Sequence, residues 1–195
     1  MKDPDAPHAS LARRGPLHRG LTLGHTAELD TATLESAWLM VRDAFGPDHF
    51  TEQDWEHALG GMHALVWDDA ELIGHASLVQ RRLLYRGRAL RTGYVEGVGV
   101  RADHRRRGHA AAMMDALERV LRGAYELGAL GATDEGAKFY AERGWKRWRG
   151  PTSTLTPSGI ARTENDDGAI YVLELEVPLD LAGELTCDWR DGDLW

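Results

Sequence analysis

The chain has 195 residues, a formal net charge of −8, 43% hydrophobic and 28% charged residues. That length suits one domain able to bury a core. The acidic balance speaks against a nucleic-acid partner, which would call for a basic footprint, and no apolar run reaches the length of a membrane span. With no apolar h-region after the first residues, the expected location is cytoplasmic. The single cysteine, Cys187, excludes an internal disulfide and lacks the partners a zinc site needs, so a small buried apolar residue is expected there and no metal anywhere.

Residues 1–20 mix Pro, Gly, His and Arg without apolar periodicity and read as a flexible extension, which leaves 21–195 as one domain. From Asp30 onward, Leu34, Trp38, Val41 and Phe45 recur at helical spacing, with Asp30 or Thr31 placed to cap. After a Gly46-Pro47-Asp48-His49 break, Thr51 and Asp54 form a capping-box-like start to a short helix that Gly60-Gly61 ends. His63–Trp67 and Glu71–Tyr85 flank an Asp68-Asp69-Ala70 turn and read as a hairpin; Arg86-Gly87-Arg88 turns again, and Leu90–Arg101 returns. A helix from about Gly108 to Tyr125 sets Met113, Leu117, Val120, Leu121 and Ala124 on one face. A short strand Leu127–Ala132, a helix Asp134–Arg143, a strand from Trp145 and a last strand Ala169–Val177 follow. Helices, an antiparallel meander and a strand–helix alternation together indicate an α+β or α/β layered fold, a sheet covered by helices.

Two stretches carry chemistry. Val95-Glu96-Gly97-Val98-Gly99-Val100 is an apolar β-run whose internal glycines suit a bulge. It leads into Arg105-Arg106-Arg107-Gly108-His109-Ala110, a basic turn at the start of the long helix. A helix N-terminus offers N–H groups and a partial positive charge to a pyrophosphate; Gly108 and Ala110 remove bulk there and the arginines add charge. Acidic residues also gather at Glu164-Asn165-Asp166-Asp167 and at Asp188, Asp191, Asp193 and the carboxylate of Trp195. Composition leaves two readings open: solvated loops, or a site for a polycation. His57, His63 and His75 lack metal-ligand spacing and read as structural.

The basic turn resembles the Arg/Gln-x-x-Gly-x-Gly/Ala acyl-CoA signature of the GCN5-related N-acetyltransferases, GNAT, on Arg105, Gly108 and Ala110. The resemblance implies a mixed, mostly antiparallel sheet with a bulged, splayed central strand. It also implies acetyl-CoA as co-substrate, with its pantetheine against the backbone of Val98, Gly99 and Val100 and its phosphates over Arg105, Arg106, Arg107, Gly108, His109 and Ala110. The Val98 N–H would polarise the thioester carbonyl. An acceptor amine must lose a proton to attack, and Glu96 is placed to take it through water; a plain surface salt bridge is the alternative. The departing thiolate needs a proton, and Tyr140, in Lys138-Phe139-Tyr140-Ala141-Glu142-Arg143-Gly144-Trp145, resembles the tyrosine that supplies it. The competing reading makes Tyr140 a core aromatic, although Phe139 is better suited to that role.

A closer resemblance runs from about Trp55 to Trp195, to the aminoglycoside 2′-N-acetyltransferases. It is carried by Asp54-Trp55-Glu56-His57, Leu59-Gly60-Gly61-Met62-His63-Ala64-Leu65, Gln80-Arg81-Arg82-Leu83, Gly93-Tyr94-Val95-Glu96-Gly97-Val98, Arg122–Leu130 and Cys187–Trp195. It implies a small polycationic aminoglycoside substrate held by Glu96 with the Gly97 backbone, Asp48, Gly131, Asp166, Asp193 and the Trp195 carboxylate, and a homodimer. The segment Gly46-Pro47-Asp48-His49-Phe50 is one residue longer than the family's Gly-Asp-Phe, and Asp134-Glu135-Gly136-Ala137-Lys138 replaces a basic stretch. A GNAT acting on another amine, such as a cell-wall amino sugar, a polyamine or a protein lysine, stays open at this point. So does a non-catalytic acyl-CoA sensor.

Overall fold

The structure, a computed structural model, describes residues 20–195. The extension read over residues 1–20 therefore lies outside the described residues except for Gly20, whose carbonyl accepts the Trp67 N–H at 2.9 Å and so belongs to the sheet. In chain order the elements are β1 (Leu21–His25), α1 (Thr31–Phe45), α2 (Glu52–Ala58), β2 (Met62–Asp68), β3 (Glu71–Tyr85) and β4 (Arg88–Val100). Then come α3 (His109–Ala124), β5 (Leu127–Gly131), α4 (Asp134–Glu142), β6 (Lys146–Arg147), β7 (Thr152–Thr156), β8 (Gly159–Arg162), β9 (Ile170–Glu174) and β10 (Leu185–Cys187).

Among the described residues the strands form one ten-stranded sheet in the order β6-β9-β5-β4-β3-β10-β7-β8, with β2 and then β1 added on β3. Most neighbours are antiparallel; β4–β5 and β10–β7 are parallel. The long β3 serves two partners on one edge. Its first half pairs with β2, from Asp68↔Glu71 to Met62↔Leu78, and its end meets β10 at Thr186↔Leu84.

The helices start where capping chemistry dictates. Asp30 Oδ1 accepts the Thr33 N–H at 2.7 Å to open α1. Thr51 and Asp54 form a reciprocal box at α2, with Thr51 N–H to Asp54 Oδ2 at 2.7 Å and Asp54 N–H to Thr51 Oγ1 at 3.3 Å. On α1 the buried side is Ala37, Met40 and Val41, while Phe45 is 37% exposed. The face is rotated from the expected Leu34–Trp38–Val41–Phe45 stripe because small Ala37 and Ala44 let the helix approach the sheet closely. The Ala44 Cβ stands 3.4 Å from where a side chain on Gly99 would begin.

Helix α3 buries Met113, Leu117 and Leu121 completely, each contributing roughly 2–3 kcal/mol of apolar transfer. Its close seat on β4 explains Gly93: a Cβ there would lie 2.4 Å from Leu121 Cδ2. Val120 is only partly buried and Ala124 is exposed, so the expected stripe narrows at its end. Among the described residues no helix is long and apolar enough to cross a membrane.

Candidate active site

The site forms where β4 parts from both neighbours. Pairing with β5 covers only Thr92–Tyr94 against Leu127–Ala129; beyond it β4 runs on to Val100 and β5 to Gly131 without pairing to each other. Against β3 the register shifts between His75 and Ser77, so Ala76 alone faces Gly97 and Val98. This is the expected bulge, and Gly97 makes it: its φ of +56° lies in the left-handed region that other residues adopt only at a cost. Gly99, also expected to serve the bulge, keeps ordinary strand geometry.

The strand then turns into α3. Gly108 is the N-cap with φ +85° and no side-chain capping bond, and a Cβ placed on it would meet nothing within 4 Å. The first intrahelical bond runs from Ala112 N–H to Gly108 O at 3.0 Å, so the helix itself supplies no acceptor for the N–H groups of His109, Ala110 and Ala111. Arg105 is turned back across the chain, its Nε donating to Val100 O at 3.1 Å and Nη2 to Ala44 O at 3.0 Å. Arg107 Nη2 donates to Asp103 O at 2.8 Å, and Arg106 is exposed at a φ of +61°. An open glycine cap, a cationic turn and a free strand edge fit an extended phosphorylated thioester, with phosphates at the helix and the chain along β4.

Glu96 lies before the bulge, its side chain 15% exposed and bound at 2.6 Å by Arg190 Nη1. Burial pushes its carboxyl above the usual carboxylate range; Arg190 pulls it back and Asp193 raises it again. Arg190 comes from the C-terminal segment, which folds over the splay on several ties. Asp188 takes Arg81 Nε at 2.8 Å and the Arg82 N–H at 3.1 Å; His57 Nε2 donates to Asp191 O at 2.8 Å; Trp195 Nε1 donates to Thr163 Oγ1 at 2.9 Å. Arg190 Nε also holds Asp193 O at 2.6 Å. Asp166, in the short turn before β9, has its carboxyl raised first by burial and then by Asp193. The Trp195 carbonyl stands 3.8 Å from where a Cβ on Gly131 would lie, and Tyr94 Oη stands 3.6 Å from it.

The structure thus brings Glu96, Asp166, Asp193, Trp195 and Gly131 together around the splay. It does not join Asp48 to them. That carboxylate is exposed in the turn between α1 and α2, although Phe50 of the same loop reaches 3.7 Å from a Cβ position on Gly97. Tyr140 sits in α4 with its ring buried against Phe139 and Trp145, centroids 5.2 and 6.3 Å away. Burial pushes its hydroxyl up to about 12, with Arg143 opposing. Phe139, expected to fill the core in its place, is only partly buried, whereas Tyr140 is 8% exposed. Cys187 is buried, as expected.

Sequence reasoning missed Arg190, whose one available signal was a lone cation in an acidic tail. It also missed Tyr94, fully buried between the Arg81 and Arg190 guanidinium groups at 4.8 and 5.6 Å, with no hydrogen-bond partner for its hydroxyl among the described residues. No group of three or more potential metal ligands occurs among the described residues.

A splayed, bulged β4 leading into a glycine-capped helix defines an acyl-CoA-binding class, and comparison with known proteins agrees. Residues 27–148 match the acetyltransferase (GNAT) domain family, and the chain belongs to the GNAT acetyltransferases. It is 55% identical over 187 residues to the aminoglycoside 2′-N-acetyltransferase of Mycolicibacterium fortuitum, covering 94% of this chain and 95% of that protein. Among solved structures, Escherichia coli ElaA superposes with a TM-score of 0.58 at 17% identity, over 79% of this chain and 98% of that one. A GNAT family acetyltransferase from Brucella melitensis in complex with acetyl-CoA gives 0.57 at 12% identity, over 86% and 96%. These two likenesses speak for the fold alone.

Proposed function

We propose that this chain is a single-domain, cytoplasmic enzyme over residues 21–195 that transfers acetyl from acetyl-CoA to the 2′-amine of aminoglycoside antibiotics. The observation that carries the reading is the convergence of Glu96, Asp166, Asp193 and Trp195 at the mouth of the splay, a carboxylate cluster whose mutual repulsion a polycation relieves. The likeness to the M. fortuitum enzyme supports the choice of substrate.

In this reading a C–N bond forms at the acetyl carbon and the C–S bond breaks. Arg106, Arg107 and the N–H groups of Gly108, His109 and Ala110 take the phosphates, with Arg105 fixing the turn; the backbone of Val98, Gly99 and Val100 takes the pantetheine arm. An amine is largely ammonium at neutral pH (an α-amino group titrates at about 7.7–8.0), so the acceptor must lose a proton before it attacks. Glu96, raised by burial, accepts the amine's proton through water. The Val98 N–H donates to the acetyl oxygen as negative charge grows on it. Tyr140 delivers a proton to the leaving sulfur, a task its high pKa suits because the hydroxyl stays protonated. Asp166, Asp193, the Trp195 carboxylate and the Gly97 and Gly131 backbone orient the sugar rings. A homodimer through the β7–β8 end is favoured by its edge: Leu155 and Ile160 face each other across the pair and are 41% and 59% exposed.

Thiol release with kanamycin B, which carries a 2′-amine, and kanamycin A, which carries a 2′-hydroxyl, tests the reading. Turnover on the first and not the second is expected; equal turnover on both would place acetylation elsewhere, and none on either would remove the assignment.

A further inference from the structure

Two histidines that the mechanism does not use lie directly behind the bulge. His63 and His75 are both fully buried, side by side on β2 and β3, with Trp55 against both rings at 6.2 and 5.3 Å. His75 Nδ1 is 2.8 Å from Gly97 O, His75 Nε2 is 2.9 Å from His63 Nδ1, and His63 Nε2 is 2.8 Å from Thr26 Oγ1. Gly60 N–H in turn donates to Thr26 Oγ1 at 2.9 Å.

Only one arrangement of protons satisfies this row when both rings are neutral. Burial holds them so, His75 at about 3 and His63 at about 4, with His25 lowering His63 further and His63 lowering His75. A carbonyl only accepts, so His75 Nδ1 carries the hydrogen and its Nε2 accepts. His63 Nδ1 is then the donor and its Nε2 accepts from the Thr26 hydroxyl at 2.8 Å, nearer than the Gly61 carbonyl, the other acceptor of that hydroxyl at 3.2 Å. Every donor in the row points toward Gly97. Hydrogen bonds aligned in this way polarise one another.

The acceptor of the row is one end of the peptide that joins Gly97 to Val98. Its other end is the Val98 N–H, which in a trans peptide points opposite to the carbonyl. A hydrogen bond drawn onto an amide oxygen makes the N–H across the same resonance system a stronger donor. We propose that His75, its tautomer fixed by His63 and Thr26, is a positioning residue for acetyl transfer: it locks the Gly97–Val98 peptide plane at the bulge and strengthens the Val98 N–H as the donor to the acetyl oxygen. This rests on the role given above to Val98.

The test is the carbonyl stretch of acetyl-CoA labelled with carbon-13 at the thioester carbon, recorded bound to the wild type and to His75→Leu, His75→Asn and His63→Leu, alongside kcat and the KM for acetyl-CoA. In the wild type the stretch moves to lower frequency than in water. His75→Leu loses most of that displacement and about tenfold in kcat at near-constant KM, a fraction of what deletion of an oxyanion donor costs. His75→Asn, which puts an N–H near the place of Nδ1, retains more of both, and His63→Leu falls between wild type and His75→Leu.

Wild-type frequency and kcat in a His75→Leu protein that melts normally and binds CoA normally would overturn the proposal. If His75→Leu does not fold, wild-type values in His63→Leu overturn it and reduced values support it. Failure of the substrate reading looks different: the wild type would show the displaced carbonyl and no turnover on any aminoglycoside. Turnover without a displaced carbonyl in the wild type would remove the His75 role alone.

Discussion

Glu96 is a carboxylate held between opposing influences: burial and Asp193 favour its protonated form, and Arg190 at 2.6 Å favours the charged one. Glu96→Gln should lower kcat/KM by about a hundredfold, the low end of what a positioned base contributes, and abolish the acid limb of the pH profile. Arg190→Met removes the cation that keeps the group ionised, so the pKa rises and the acid limb moves to higher pH; a limb that stays or moves down would contradict this. Tyr140→Phe should lower kcat while leaving the profile between about pH 6 and 10 unchanged in shape, because the hydroxyl titrates near about 12. The bulge at Gly97 was legible in the sequence because two glycines interrupt an apolar strand, whereas the roles proposed for Glu96 and Val98 came with the family resemblance. Arg190 was not legible, since its contact with Glu96 joins positions 94 residues apart.

At the scale of elements, the strands that were legible are those whose signals are local. β3 has the bounds read from the sequence, and α2 begins at the box formed by Thr51 and Asp54. β1, β7, β8 and β10 were missed. Thr152–Thr156 alternates little in polarity, β8 is exposed throughout, and β10 is held by a parallel pairing to β7 that no local pattern announces. The histidine pair was hidden for a related reason: His63 and His75 meet only because β2 and β3 fold into a hairpin. That pair makes β2–β3 sensitive to acid. Both imidazoles are held below the ordinary value of 6.5, so the unfolded chain binds more protons than the folded one as the pH falls below it. Stability is then whole above about pH 6.5 and is lost on acidification, by up to about 1.4 kcal/mol per pH unit for each ring. Denaturant melts at pH 7 and pH 5 should show the loss, and His63→Phe should reduce its slope.

Across the whole molecule, the proposed site draws on segments that are far apart in sequence: the bulge of β4, the start of α3, the turn holding Asp166 and the C-terminal segment, with α4 contributing Tyr140 in the proposed mechanism. Arg81–Asp188, His57–Asp191 and Thr163–Trp195 tie that last segment over the splay. In the proposed reading the Trp195 carboxylate binds the drug, so a variant with residues added after Trp195 should show a raised KM for the aminoglycoside and an unchanged KM for acetyl-CoA. Equal KM values for the drug would remove the carboxylate from the substrate site.

The most direct test of the central claim is the position of the acetyl group in the product formed from kanamycin B, read by two-dimensional NMR. A single acetyl on the 2′-nitrogen is the expected result. An acetyl on any other amine of the drug, or a mixture of positions, would contradict the orientation that Glu96, Asp166, Asp193 and Trp195 are here given the task of imposing.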